Sequence, residues 1–416
     1  MTAISTSNSS PSSHTICLPF QEESYNQIVA DPVLFRAAVD RLFAHFPELF
    51  PSGFHLGYRF KDRRISSKLN LPLRRIALSD RRSYSIRPSF VMPYCSAHVP
   101  AVEHALFLRK FAVPYWALAR VFGRHPSFWH RLECALGDFR LVGTTVRRGE
   151  IPEHLLADEH HQTRDGQKVY VAATVGAGCC LGAEVVDQAD AEELTAAYGV
   201  FRDEAREVSP KYSPKTVNVD GGKATTIAWK RLFFRVAIIL CFLHGWLKIR
   251  DRSKHLGETF LELGKRVWQA YRAETASEMK RRLVELKKWA KANLEKATAV
   301  EAVLRLCGKG GWYAKAYRYR GCHRTSNMLD RVMRGMNRYL DSGQHFHGSK
   351  KANGRRMRGW ALLYNFSPWH PAEAKANGGW RSPAERLNQH RYHDNWLENL
   401  LISASLGGYR IQHPQK

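Results

Sequence analysis

The spacing of apolar residues divides the chain into helical and extended stretches. Phe35, Val39, Leu42 and Phe46 recur at helical intervals, which predicts an amphipathic helix ending before Pro47. Residues 102–136 read as a cluster of short helices. Beyond Gly149 the texture changes to alternation, and residues 155–162, 168–175 and 180–186 predict three strands, with Asp165-Gly166 as a hairpin turn. A helix over 189–208 follows, with Leu194, Tyr198, Phe201 and Ala205 on one face. Val217 and Val219 then alternate with polar neighbours in a fourth strand that runs into Asp220-Gly221-Gly222, and a helix is predicted over 225–234. Residues 253–306 lack proline and carry one stripe of Leu256, Phe260, Leu263, Val267 and Tyr271 and another of Met279, Leu283, Leu286 and Ala290, so an amphipathic helical bundle is predicted. Three more helices follow: one opening at Thr325 or Ser326, one over 357–366 and a short one over 395–406. The longest apolar run, residues 236–243, stops at His244, well short of the ~18 residues of a membrane helix.

Charge changes the picture. The 416 residues, enough for two or three domains, carry 64 Lys and Arg against 38 Asp and Glu, a net +26. Such an excess suits a polyanion: nucleic acid first, because phosphate neutralisation supplies much of its affinity for proteins, and an anionic membrane surface second. Residues 61–87 concentrate basic groups, among them Arg63, Arg64, Arg74, Arg75, Arg81 and Arg82, and read either as a duplex-contacting arm or as a solvated surface. In residues 113–131, Ala119 and Gly123 allow two helices to meet at a corner, and Arg124, His125, His130 and Arg131 belong to the second helix. This is the shape of a helix-turn-helix, although any two-helix corner needs similar small residues. Tyr alternates with Lys and Arg over 313–320, a mixture that suits nucleic-acid backbone and bases. The predicted organisation is a disordered tail over 1–30, a basic helical DNA-binding region over 31–148, and the first part of a catalytic core over 149–252. An all-α insertion over 253–312, the end of the core over 313–370 and a basic tail over 371–416 complete it. The polar N-terminus predicts no secretory signal. Eight scattered cysteines without a C-x-x-C, Cys179-Cys180 being the one adjacent pair, fit a reducing cytosol.

Asp220 closes a strand on backbone that can turn sharply. Asp before Gly-Gly is ordinarily a turn residue, but a carboxylate there can also hold a divalent cation if others converge on it. Three antiparallel strands, a helix and a fourth strand are the order of a ribonuclease H-like core, in which the first and fourth strands adjoin and bring Asp158 to Asp220. The expected fold class is therefore α/β, a ribonuclease H-like mixed sheet flanked by helices, with the all-α insertion and the helix-turn-helix-like region added. Asp330, on the helix that follows the insertion, is the third candidate, and Arg331, Arg334 and Arg338 form a cationic stripe beside it.

Three stretches carry a resemblance: Leu156-Ala-Asp158-Glu159; Val217-Asn-Val-Asp220-Gly221 followed by Cys241-Phe-Leu-His244; and Thr325-Ser-Asn-Met-Leu-Asp330-Arg331. Over roughly residues 150–366 the chain resembles insertion-sequence transposases of the DDE type with a mutator-like arrangement. Those proteins keep a Cys-x-x-His after the second acid and a helical insertion before the third. The third acid is usually Glu there and is Asp330 here, one methylene shorter, which leaves open a working Asp triad or an inactivated copy. Glu398 is a rival, and Glu159 and Glu184 are lesser candidates. The resemblance implies that Asp158, Asp220 and Asp330 hold two Mg²⁺ (or Mn²⁺) ions about 3.5–4 Å apart for DNA cleavage and strand transfer. It also implies double-stranded DNA, as element ends and as target, for a partner, a homodimer on paired ends, and a cytoplasmic, nucleoid-associated prokaryotic setting. Cys241 and His244 either order the insertion and the end of the DNA or are buried core residues. Cys322-His323 does not supply a clear second half for a zinc site. The alternative function is a catalytically inactive or domesticated DNA-binding relative.

Overall fold

In a computed structural model, residues 14–93 and 95–410 are described. The first element is strand β1 (Thr15–Leu18), followed by α1 (Glu22–Ala30) and α2 (Pro32–His45). Asp31 caps α2 by accepting from the N–H groups of Val33 and Leu34, and Pro32 sits in its first turn. Ordered structure therefore begins well inside the stretch expected to be a disordered tail, of which residues 1–13 lie outside the described residues. Strands β2 (Tyr58–Ser66), β3 (Leu71–Leu78) and β4 (Ser83–Pro88) form with β1 a four-stranded sheet of order β1-β4-β3-β2, with β1 parallel to β4 and the other pairs antiparallel. The basic stretch is therefore a sheet and not a helical arm. Lys61, Arg63, Arg64, Arg81 and Arg82 are exposed, whereas Arg74 and Arg87 are buried with the apolar residues Ile76, Leu78, Tyr84 and Ile86 that face the core.

Helices α3 (Glu103–Lys110), α4 (Tyr115–Phe122), α5 (Pro126–Leu136) and α6 (Leu141–Thr145) lead to the second sheet. This sheet contains β5 (His154–Arg164), β6 (Gln167–Gly176), β7 (Cys179–Val186), β8 (Thr216–Val219) and β9 (Ala237–Leu240). Helix α7 (Ala191–Val208) connects β7 to β8, and α8 (Lys223–Leu232) connects β8 to β9. The strand order is β7-β6-β5-β8-β9, with β5, β6 and β7 antiparallel in turn and β5, β8 and β9 parallel. The remaining described helices are α9 (Phe242–Ser253), α10 (Glu258–Tyr271), α11 (Ala276–Asn293), α12 (Ala297–Gly308), α13 (Gly310–Ala314), α14 (Asn327–Asp341), α15 (Lys350–Phe366), α16 (Pro371–Ala376), α17 (Pro383–Asn388) and α18 (Trp396–Ser403). The insertion is all-helical, as its apolar stripes predict.

The five-stranded sheet separates two cores. Leu155, Ala157, Val217 and Val219 face a core formed with α7, α8 and the insertion helices. Leu156, Val171, Ala173 and Val175 face the other, which also holds Leu329, Val332 and Met336 of α14, Trp360 of α15 and the N-terminal sheet. The two sets alternate along β5, as a two-residue period requires. The C-terminal segment belongs to the second of these cores: Leu397, Leu400 and Leu401 are buried there, and the Ser405 hydroxyl accepts from the Cys17 N–H at 3.1 Å, so α18 and the turn after it are structural rather than a basic tail. The protein is thus mixed α/β, with mixed sheets flanked by helices, and no described helix is long and apolar enough to cross a membrane.

Candidate active site: a carboxylate pair at the ends of parallel strands

Strand register brings the first two acids together. Leu156 of β5 lies opposite Asn218 of β8, so two residues on, Asp158 and Asp220 fall side by side at the C-terminal ends of adjacent parallel strands. Asp158 shares its face of β5 with Leu156, and Asp220 continues the face of Asn218, so both lie on the side of the sheet covered by α14. Glu159, one residue on, points the opposite way and accepts from the hydroxyls of Tyr198 at 2.5 Å and Thr225 at 3.0 Å. Those two bonds tie Glu159 to α7 and α8, where it orders the floor beneath the pair.

Gly221 has φ +102°, a conformation that favours glycine, and a Cβ there would come within 3.2 Å of Leu240 and 3.9 Å of the Lys309 ammonium. The turn brings the Gly222 N–H onto Asp220 Oδ1 at 2.7 Å. Asp220 is therefore both a turn residue and an exposed carboxylate. Burial pushes the Asp158 carboxyl up to about 7, with the charges of Asp220 and Glu159 adding to the effect and the Glu159 N–H and His244 opposing it. No Lys or Arg side chain forms an ion pair with Asp158 or Asp220 among the described residues. In a chain with 26 excess positive charges, leaving this pair without a Lys or Arg partner is a specific arrangement.

Asp330 lies one turn into α14, on the same side of the sheet. Its Oδ2 accepts from the Ser326 hydroxyl at 3.1 Å, and Ser326 Oγ in turn accepts from the Cys241 thiol at 3.4 Å. His244, one turn into α9, stands against Cys241 and is pushed up to about 9 by that contact against the effect of burial, with Asp158 and Asp220 contributing. The Cys241 thiol is raised by burial but lowered on balance by His244 and Ser326. Six residues from the three stretches thus form one connected series. The order is Asp330–Ser326–Cys241–His244, and then the field of Asp158 and Asp220. Ser326 does not cap α14 with its side chain; its hydroxyl is turned to the carboxylate four residues on. The segment before α14 is fastened to the sheet ends: Asn218 Nδ2 donates to the His323 carbonyl at 3.0 Å, and the Phe242 N–H donates to the Arg324 carbonyl at 3.0 Å.

The expected triad is only partly assembled. Among the described residues no group of three His, Cys, Asp or Glu side chains stands close enough to hold one metal ion. The donor set at the pair still fits Mg²⁺ or Mn²⁺. These ions are commonly held by one or two carboxylates with water and substrate phosphate completing the shell, and the Gly221-Gly222 turn leaves the approach to Asp220 free of side chain.

The other acids are engaged elsewhere. Glu398 of α18 accepts from the Ser89 hydroxyl at 2.6 Å and lies 3.7 Å from His393, inside the core with the N-terminal sheet, so it is not a third ligand. Glu184 pairs with Arg358 at 2.7 Å. Cys322 donates to the Ala316 carbonyl.

The expected DNA-contacting residues separate into used and free. Arg74 is buried and donates to the carbonyls of Val29 and Ala30, so it anchors α1 to the sheet, and its burial keeps it from a phosphate. Arg75 pairs with Asp62, which Arg64 shares at 3.1 Å, and Arg82 pairs with Asp80 at 2.6 Å. Arg63 and Arg81 are exposed. The two-helix corner exists as α4 and α5, but Arg124 and His125 lie in the turn, where Arg124 stacks over Phe128 and His125 accepts from the Ser127 N–H. One face of α5 is buried through Trp129, Leu132 and Glu133; His130 and Arg131 are on the exposed side, at a cleft of about 860 Å³ with Lys68, Lys351 and Arg355 also at its wall. Arg331 and Arg334 are exposed on α14 beside Asp330. No family model matches the chain, and no curated protein matches it either.

Proposed function

We propose that the chain is a DDE-type DNA transposase, cutting and joining DNA strands at the ends of an insertion sequence. The observation that carries this reading is the Asp158–Asp220 pair at the C-terminal ends of adjacent parallel strands, without a Lys or Arg ion pair among the described residues of a strongly basic chain. The strand order β7-β6-β5-β8-β9, with β5, β6 and β7 antiparallel and β5, β8 and β9 parallel, is that expected of a ribonuclease H-like core, and the helical insertion falls between β9 and the helix bearing Asp330. In this reading Asp158 and Asp220 hold a divalent ion, which when bound activates the attacking oxygen and neutralises charge at the phosphorus. Glu159, tied to Tyr198 and Thr225, keeps β5 in register with α7 and α8 beneath the pair. Lys309 near the Gly221 turn and Arg331 and Arg334 beside Asp330 on α14 supply positive charge that orients a phosphodiester. Ser326 and Cys241 hold Asp330 one side chain back from the pair, and Asp330 joins it once DNA is seated.

The test is strand transfer of a pre-cleaved terminal-repeat oligonucleotide with Mg²⁺ or Mn²⁺. Asp158→Asn and Asp220→Asn should each lower the rate at least about a hundredfold while duplex binding persists. Asp330→Asn should do the same, and full activity in that variant would remove it from the triad. The position of Asp330, bonded to Ser326 rather than gathered with the pair, supports a second reading, a DNA-binding relative without catalysis. Wild-type protein that binds duplex tightly yet transfers no strand with either metal is the result that selects it.

A further inference from the structure

A cleft of about 300 Å³ opens at the first residues of β9, and it is lined by Lys230, Arg235, Lys315 and Arg318 together with Trp312 and Tyr319. No carboxylate lines it, and among the described residues none of the four cations forms an ion pair with one. The crowding is real: burial and the nearby charges of Lys230 and Arg318 depress the Lys315 ammonium below its usual range. Three elements place these groups. Lys230 ends α8 and donates to the Val236 carbonyl at 2.6 Å, Arg235 stands in the turn before β9, and the 3₁₀ turn Lys315–Arg318 lies against β9. Trp312 is 45% exposed although it is one of the largest apolar side chains in the protein, and the Lys315 ammonium sits 3.6 Å from its ring centre. The cleft lies at the opposite end of β8 and β9 from Asp220: Ala237 is paired with Thr216 and Leu240 with Val219, a separation of ~13 Å at ~3.3 Å per residue.

Four cations without a counter-charge need a polyanion, and a half-exposed indole beside a tyrosine needs a flat apolar surface. Both needs are met by an unpaired nucleotide strand, whose phosphates follow the cations while a base stacks on the ring. A duplex keeps its bases inside the stack and would leave Trp312 exposed, and an acidic peptide would meet only the charges. We propose that this cleft binds single-stranded DNA, with Lys230, Arg235, Lys315 and Arg318 on the backbone and Trp312, flanked by Tyr319, as the stacking platform for a base. The site is separate from the carboxylate pair and does not depend on its chemistry.

The test is fluorescence anisotropy with a labelled thymidine oligonucleotide of about 12 nucleotides, within the ~4–16 nucleotides that single-strand sites span. It is run in EDTA, so the outcome is independent of any metal-dependent activity. Lys315→Gln with Arg318→Gln should weaken binding at least about tenfold and make the salt slope shallower by ~1.4, two cations at ~0.7 each. Trp312→Ala should weaken the thymidine oligonucleotide by about tenfold or more, yet leave an abasic oligonucleotide of equal length nearly unchanged. Circular dichroism and melting confirm that each variant is folded. Three results overturn the proposal: variants that bind like wild type, a Trp312→Ala variant that loses both oligonucleotides equally, or poly-glutamate competing as well as the oligonucleotide. Preference for the matching uridine RNA over DNA overturns the assignment to DNA.

Discussion

Asp158 carries a proton more readily than an ordinary aspartate, at about 7, first because it is buried and then because Asp220 and Glu159 are charged nearby. The sign of the consequence follows from linkage. The folded value lies above the unfolded one, so its contribution to stability is fully present below the unfolded pKa, about 4, and is lost as pH rises through about 7. Metal-free protein should therefore lose melting temperature relative to Asp158→Asn as pH is raised from about 5 to about 8, and added Mg²⁺ should restore the difference at the upper end. Scanning fluorimetry of both proteins across that range checks it, and superimposable profiles would remove Asp158 from the set of strained carboxylates. The faces of Asp158 and Asp220 were readable from alternation alone, because a strand assigns each residue a side once its neighbours' sides are known. The Ser326 hydroxyl was not. It reads as a helix cap, and its actual neighbour Cys241 lies 85 positions away with no periodicity to connect them.

Helix α15 shows how one side chain fastens several elements. Arg358 donates to Glu184 of β7 and Glu204 of α7, both at short distance, and to the Phe139 carbonyl. Removing it leaves two carboxylates in the interior without their cation, which is costlier than removing the whole cluster. Arg358→Leu should lower stability by about 3–5 kcal/mol, read as the shift in a urea unfolding midpoint with an unchanged slope. The helices of the insertion and strands β5 to β8 were legible from their apolar periodicity, whereas β9 lies in an apolar run that fits a buried strand or a helix equally. The N-terminal sheet was missed although β2 alternates Tyr58 and Phe60 with Arg59 and Lys61. There the outward residues carry so much charge that composition drew attention away from the two-residue period. The short apolar helix after residue 395 was legible and is α18, but the polar loops before it concealed that it belongs to the core with the N-terminal sheet.

At the scale of the whole molecule the net charge of +26 is spread over both sheets, the insertion and α14. Duplex affinity should then fall steeply with salt, log K declining against log salt at ~0.9 per phosphate neutralised. Titrations between about 50 and 200 mM salt check this, and a flat response would exclude the backbone as the main contact. Arg74→Gln should leave that slope unchanged, since Arg74 is buried against Val29 and Ala30, whereas Arg131→Gln should make it shallower by ~0.9 if the α5 cleft meets the duplex. Net charge suggests a polyanionic partner from sequence, but which cations are free is a property of tertiary pairing and could not be read there.

The bond from the Cys17 N–H to the Ser405 hydroxyl spans 388 positions, and the same hydroxyl donates to the Leu49 carbonyl. A ribosome releases Cys17 long before it reaches Ser405. At ~5–20 residues per second the first strand waits on the order of 20–80 s for the turn that completes its sheet. Asp158 and Asp220 can pair earlier, but α14, which covers them, shares its core with that unfinished sheet. The nascent chain therefore closes its N-terminal layer last, and a protein halted part-way through synthesis would carry the carboxylates without the roof above them.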